Sequence, residues 1–128
     1  MAEARQYSLP KSERLCSRSA IRRLFADGQS GFVYPFRYKI FTENSTSPSV
    51  EVLFSVPKHN HKRANRRNLL RRRTKEAYRL NKSELQHVAK TKGVNLDMAL
   101  TYSTKDVLSY DTIAHAVCKI LAEVAERC

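Results

Sequence analysis

The stretch from Ser55 to Lys82 reads SVPKHNHKRANRRNLLRRRTKEAYRLNK, and it decides more about the fold than any other part of the chain. Within it, residues 58–79 contain ten Lys or Arg and a single acid, Glu76. This window therefore supplies +9 of the formal net charge of +12. The positive charge belongs to one element, while the rest of the chain is nearly balanced.

An amphipathic helix is predicted over residues 63–81, because apolar and basic side chains separate onto two sides at the helical period. The apolar side comprises Leu69, Leu70, Thr74, Ala77 and Leu80. The basic side, an arc of about 140° at roughly 100° per residue, comprises Arg67, Arg71, Arg72, Lys75 and Arg79. Arg66 and Arg73 fall at the edges of the apolar side, where their stems can lie along a core. The helix can thus dock on a core and still present a row of cations.

The charge of this helix predicts a polyanionic partner. The alternative, a solvated surface helix, usually mixes both signs, because like charges four residues apart repel each other. Seven arginines against three lysines in residues 58–79 favour nucleic acid, since guanidinium groups bind phosphates in a bidentate way. A lipid surface would also require bulky apolar residues for insertion, and the helix has no Trp or Phe. No run of the chain is long and apolar enough to cross a bilayer.

The other patterns predict a single α+β domain over residues 1–128, with residues 1–10 as a flexible N-terminal tail. A helix over residues 17–26 ends at Gly28, and strands are predicted over 32–41 and 50–57 with a polar loop over 42–49 between them. After the basic helix, helical structure continues to Gly93 and a third strand covers residues 96–102. Ser109 is the N-cap of the last helix. Its apolar stripe, which should pack on the sheet, comprises Ile113, Val117, Ile120, Leu121 and Val124.

The first predicted strand is unusually rich in aromatic residues. Its aromatic side chains are Phe32, Tyr34, Phe36, Tyr38 and Phe41, and Arg37 and Lys39 lie among them. Aromatic rings on an open sheet face can stack on unpaired bases, at about 1–3 kcal/mol per base. The alternative is that most of these rings fill a core that contains no Trp. The sequence leaves both possibilities open.

Residues that could carry out catalysis are scattered. Asp97 and Asp106 are isolated in the sequence, whereas a two-metal site needs clustered carboxylates. His59 and His61 have no cysteine pair nearby, so a zinc site is not expected. The three cysteines (Cys16, Cys118 and Cys128) are odd in number and far apart, which suits a reducing cytosol rather than a disulfide framework. We therefore expect a binding protein whose own side chains do no chemistry.

The chain resembles the protein component of bacterial ribonuclease P. The resemblance rests first on residues 55–82: a strand that ends near Lys58, then Arg67-Asn68 at the start of a basic helix, Arg71-Arg72, and the pair Lys75-Glu76. Arg14-Leu15, Phe25 and Gly28 are similar to the N-terminal segment of the family, and Phe36 and Tyr38 fall in its second cluster. The last strand and helix are similar in order and length, so the resemblance covers most of the chain.

The resemblance implies a fold, two RNA partners and a complex in which the RNA carries out the cleavage. The fold is a small two-layer α+β sandwich, with helices packed on a mixed sheet of about four strands and a left-handed crossover at the basic helix, an exception to the common handedness. The partners are the catalytic RNA and the single-stranded 5′ leader of precursor tRNA. Cleavage would belong to the RNA with Mg²⁺ that is mainly RNA-bound, and the protein would act as a cytoplasmic monomer within the complex.

The resemblance also assigns residues to each partner. Those implied in binding the catalytic RNA are Lys58, Lys62, Arg63, Arg66, Arg67, Asn68, Arg71, Arg72 and Lys75. Those implied in binding the leader, in a cleft between the sheet and the first helix, are Arg14, Phe25, Phe36 and Tyr38. Two departures stand out: a family position that is often Phe is Ile21 here, and residues 59–65 lack the glycine that many members carry.

Two rival functions remain at this point. A structural RNA-binding protein, such as a ribosomal protein of similar fold, would bury its aromatic strand rather than open it as a cleft. A protein-only nuclease would cleave RNA with a metal but without a catalytic RNA.

Overall fold

The computed structural model describes residues 9–128, so most of the predicted N-terminal tail lies outside the described residues. The helices are α1 (Arg18–Asp27), α2 (Ala64–Asn81), α3 (Ser83–Lys92) and α4 (Tyr110–Arg127). The strands are β1 (Gln29–Val33), β2 (Phe36–Asn44), β3 (Ser49–Ser55) and β4 (Val94–Tyr102). A short 3-10 turn, Lys11–Glu13, precedes α1.

The strands form one mixed sheet in the order β1-β2-β4-β3. The pairs β1–β2 and β2–β4 are antiparallel, whereas β3 and β4 are parallel. A parallel pair needs a crossover connection, and here α2 and α3 provide it. The predicted α+β fold with a mixed four-stranded sheet is confirmed.

The two faces of the sheet are covered unequally. One face packs against α2, α3 and α4 around the main core, where the apolar stripe of α4 is buried as predicted. On the other face, α1 is the one helix among residues 9–128, and it buries Leu24 against Leu15 and Ala99. Because α1 has ten residues, it covers part of that face and leaves the rest open.

The predicted single strand over residues 32–41 is wrong, because the chain turns at Tyr34-Pro35 and forms a β-hairpin. Proline has no N–H to donate within a strand ladder, so it suits the turn. Gly31 lets the two strands approach, since a Cβ at this position would lie 2.2 Å from Cζ of Tyr38. The second strand then continues to Asn44, which shortens the predicted polar loop to residues 45–48.

The helices follow the sequence pattern more closely. Arg63 is the N-cap of α2, and the side chain of Ser109 accepts a hydrogen bond from the amide of Thr112, as an N-cap should. Gly28 does follow α1, but its φ of −73° is not the left-handed conformation of a typical helix-ending glycine. Instead it allows close packing, because a Cβ there would lie 2.3 Å from the carbonyl oxygen of Leu24.

Candidate nucleic-acid interface

A groove lies on the sheet face that α1 covers only in part. Its volume is about 620 Å³, and it runs between the last turn of α1 and the strands β1, β2 and β4. Its lining residues are Phe25, Ser30, Gly31, Phe32, Arg37, Tyr38, Lys39, Ala99 and Thr101. The groove is thus the part of the sheet face that α1 is too short to cover.

Two exposed aromatic rings and two cations line this groove. Phe25 is 44% exposed and Phe32 is 58% exposed, which is unusual for phenylalanine. Arg37 lies opposite Phe32 in the hairpin. Nζ of Lys39 donates a hydrogen bond to the carbonyl oxygen of Phe25 at 2.8 Å and lies 5.8 Å from the centre of its ring. The groove therefore offers apolar ring faces next to fixed positive charge.

Phe36 and Tyr38 do not offer their rings to this groove. Each is only 1% exposed, and both belong to the main core on the opposite face of the sheet. The hydroxyl of Tyr38 donates to a carboxylate oxygen of Glu123 on α4 at 3.0 Å, and burial raises the pKa of Tyr38. The prediction that these two rings form an open cleft is wrong, because alternation along β2 directs them towards the helices. Tyr38 is nevertheless one of the residues that line the groove.

The groove residues Phe32, Arg37 and Lys39 were missing from the predicted leader site. Their signal was present in the sequence, since side chains of a strand alternate between faces. Once Phe36 and Tyr38 are assigned to the core, Arg37 and Lys39 must face the other side. The position of Phe32 could not be predicted in this way, because it depends on the hairpin turn that the single-strand prediction overlooked.

A second surface is formed by the basic helix α2. A shallow depression of about 490 Å³ is lined by Asn65, Asn68, Arg71, Arg72 and Lys75. Nη1 of Arg71 donates to the side-chain oxygen of Asn68 at 3.3 Å. Burial, and then the positive charges of Arg71 and Arg14, lower the pKa of Lys75. These cations crowd together with no acid among them in the depression.

Arg14 joins this basic group from another part of the chain. It forms an isolated bridge with Val52 at the free edge of β3, and its side chain is exposed. Its effect on Lys75 places it beside α2. Of the four predicted leader residues, the structure therefore puts Phe25 in the groove, Arg14 beside the basic helix, and the other two in the core.

The remaining basic residues differ in how far their charge is already engaged. Lys58, Lys62, Arg63 and Arg66 are exposed in or just after the loop that precedes α2. Arg67 donates to two backbone carbonyls, Arg73 donates to the carbonyl of Leu108, and Arg79 forms an ion pair with Glu76. The cationic arc predicted from the sequence is thus present, but it is only partly available to a ligand.

The acids take a different arrangement from the one expected. Asp97 is not isolated: it lies opposite Glu51 in the β3–β4 ladder, and its carboxylate is 3.6 Å from a guanidinium nitrogen of Arg23. Burial raises the pKa of Asp97, and Arg23 opposes that shift. Across residues 9–128, no group of three or more His, Cys, Asp or Glu side chains is arranged to hold a metal ion.

The histidine and cysteine side chains and the apolarity of the helices can also be compared with the sequence predictions. His61 is buried, and its Nε2 is 2.8 Å from the carbonyl oxygen of Thr104. Cys16, Cys118 and Cys128 are free thiols. Within the described part of the chain, no helix combines the length and apolarity that spanning a membrane requires.

Comparison with known proteins gives a consistent result. The family model for ribonuclease P matches residues 9–123. A ribonuclease P protein component from Porphyromonas gingivalis is 34% identical over 121 residues, covering 93% of this chain and 88% of the relative. One from Chlorobium phaeobacteroides is 30% identical over 128 residues, covering 91% and 88%.

Solved structures show the same fold at lower sequence identity. The ribonuclease P protein of Staphylococcus aureus superposes with a TM-score of 0.68 at 19% identity, covering 91% of this chain and 97% of that one. The protein from Thermotoga maritima gives a TM-score of 0.66 at 22% identity, covering 87% and 96%.

Proposed function

The chain belongs to the bacterial ribonuclease P protein component family, and from that premise we propose that its groove holds the single-stranded 5′ leader of precursor tRNA. Its function is to serve as the protein subunit of ribonuclease P in the maturation of tRNA 5′ ends, and its partner is RNA. The proposal concerns which surface meets which RNA.

The aromatic and cationic lining of the groove is the observation that supports leader binding. Unpaired bases stack on aromatic rings, and phosphates are attracted to nearby cations. Phe25 and Phe32 provide exposed rings, and Arg37 and Lys39 provide the charge. A duplex stacks its own bases and could not use these rings, so the groove suits a single strand.

The basic helix supports a second contact, with the catalytic RNA. Arg71, Arg72 and Lys75 lie together at the depression on α2, and Arg14 adds a fourth charge. Most of the affinity of such a surface comes from phosphate contacts that release counterions. In this proposal the protein neutralises phosphates so that two RNA molecules can approach each other.

The same proposal assigns cleavage to the RNA. Residues 9–128 include no group of three or more side chains placed to hold a metal ion, and in this proposal Mg²⁺ would be held mainly by RNA ligands. The protein would act as one copy per complex in the cytoplasm.

A structural RNA-binding protein was the main alternative, and it predicted a buried aromatic strand. Phe36 and Tyr38 are indeed buried, but Phe25 and Phe32 keep an aromatic groove open next to them. The family membership favours ribonuclease P over this alternative.

The deciding experiment is reconstitution. Purified protein is added to a bacterial ribonuclease P RNA at a magnesium concentration too low for the RNA alone, and cleavage of precursor tRNA is followed. We expect cleavage at the mature 5′ end only when both components are present. A chain that binds the RNA without restoring cleavage would behave as a structural RNA-binding protein instead.

A further inference from the structure

The loop that precedes α2 exposes three cations on a tightly held backbone. Lys58, Lys62 and Arg63 are exposed. The amides of Asn60 and His61 both donate to the carbonyl oxygen of Pro57, each at 3.2 Å. These bonds close residues 57–61 into a turn that holds its charged side chains on the outside.

Arg67, one turn into α2, ties this loop to the helix. Its Nη1 donates to the carbonyl oxygens of His61 at 2.9 Å and of Lys62 at 2.7 Å. Hydrogen bonds from an ionised donor are about twice as strong as neutral ones. The N-cap residue Arg63 makes no side-chain capping bond, so Arg67 supplies the side-chain connection where the chain enters the helix.

His61 ties the same loop to the sheet. It is 3% exposed, and its ring packs on Tyr102 with 5.6 Å between ring centres. Its Nε2 meets the carbonyl oxygen of Thr104, just beyond the end of β4. The loop is therefore fixed from both sides, by Arg67 from the helix and by His61 from the end of the sheet.

We propose that Arg67 is a positioning residue, which with His61 holds residues 58–63 in the shape that lets Lys58, Lys62 and Arg63 reach phosphates of the catalytic RNA. The inference rests on the proposed function of this region in RNA binding. Arg71 offers a contrast one turn further along α2. Its hydrogen bond goes to the side chain of Asn68 rather than to the loop, so Arg71 is suited to contact a phosphate itself.

The first test needs no RNA. Hydrogen exchange of backbone amides is measured in the free protein for Arg67→Gln and for the matched variant Arg71→Gln. We expect the amides of Asn60 and His61 to exchange at least tenfold faster in Arg67→Gln and at the parental rate in Arg71→Gln. Parental rates in both variants would overturn the proposal, because the loop would then keep its shape without Arg67.

The second test measures binding to ribonuclease P RNA as a function of salt. Arg71→Gln should reduce the slope of log affinity against log salt by about 0.7–0.9, as expected for one lost phosphate contact. Arg67→Gln should reduce it more, because the loop cations lose their contacts too. Equal reductions would identify Arg67 as an ordinary phosphate ligand and would contradict the positioning role.

His61→Phe completes the second test. This variant keeps an aromatic ring against Tyr102, removes the bond to Thr104 and changes no Lys or Arg. It should weaken RNA binding several-fold, and it should add little to Arg67→Gln, because both changes release the same loop. Fully additive losses would overturn the proposal. If the parent itself fails to bind the RNA, the proposed function is wrong, while the exchange measurement still decides whether Arg67 holds the loop.

Discussion

Phe32 and Phe36 lie four residues apart in one hairpin and have opposite surroundings. Phe36 is 1% exposed, whereas Phe32 is 58% exposed beside the groove. Phe36→Ala should lower the free energy of unfolding by about 3–5 kcal/mol, the usual cost of removing a buried aromatic ring. Phe32→Ala should change it by about 0.5 kcal/mol or less, as at other exposed sites. Chemical denaturation of the two variants measures both values, and similar losses would contradict the placement of the hairpin.

Tyr78 on α2 is a second residue with a measurable signature. Its hydroxyl is buried without a hydrogen-bond partner among the described residues, and burial raises the pKa of Tyr78 above its ordinary value of 10.0. Because the unfolded chain releases this proton at a lower pH than the folded chain, stability should fall as pH rises above about 10. Below that pH, Tyr78→Phe should be neutral or slightly stabilising, since it removes an unsatisfied polar group.

The check is a set of thermal melts of parent and Tyr78→Phe across the alkaline range. The variant should lose stability less steeply with rising pH than the parent does. Parallel curves would mean that Tyr78 keeps no elevated pKa in the folded protein.

At the level of single residues, the sequence predicted the type of partner better than it predicted which residues form the groove. The arginine-rich charge of residues 58–79 indicated a nucleic acid partner, and the aromatic and basic side chains of residues 32–41 left base stacking open as a second contact. Which rings are open could not be predicted, because it depends on which face of β2 the longer helices cover. Tertiary packing determines which face is covered, and the alternation of apolar and polar residues does not show it.

At the level of elements, the bounds of α2 and the start of α4 were predicted within one residue, because α2 has a long amphipathic pattern and Ser109 is a clear N-cap. The hairpin was not, because its turn, Tyr34-Pro35, lies inside an apparently continuous aromatic run. A short turn without Asn or Gly gives little local signal. The single-strand prediction therefore placed Phe32 at the start of a strand, and it did not show that Phe32 lies opposite Arg37 in the groove.

The cations of α2 should contribute directly to RNA binding. Arg71→Ala combined with Lys75→Ala should weaken binding to the catalytic RNA and flatten its salt dependence by about 0.7–0.9 per lost contact. The unfolding free energy should change little, because these positions lie at the surface depression of α2. Lys119→Ala, an exposed cation on α4, is the control for overall charge and should leave the salt dependence unchanged. An equal effect from Lys119 would mean that only net charge matters.

At the level of the whole molecule, most of the excess positive charge lies in residues 58–79, where Glu76 is the single acid. The described residues include no cluster of ligands suited to a metal ion. The protein alone should therefore leave precursor tRNA intact at any magnesium concentration. Cleavage by protein that has been rigorously freed of RNA would show that the chain holds a nuclease site of its own.

In the proposed function, the groove and the basic helix each contact a different RNA molecule. In that proposal, the groove between α1 and the sheet receives the leader. The variant that tests it is Phe25→Leu combined with Phe32→Leu, which keeps apolar volume but removes both flat rings. Tyr34→Leu is the matched control, because Tyr34 is also 53% exposed on the hairpin but does not line the groove.

The measurement is the affinity of the reconstituted holoenzyme for precursor tRNA with leaders of increasing length, compared with mature tRNA. Removing the two rings should cost about 1–3 kcal/mol per lost stack, and only for substrates whose leader is long enough to reach the groove. Mature tRNA should bind the parent, the double variant and the Tyr34 control alike. If the double variant binds every substrate as the parent does, or loses affinity for mature tRNA to the same extent, the groove is not the leader site.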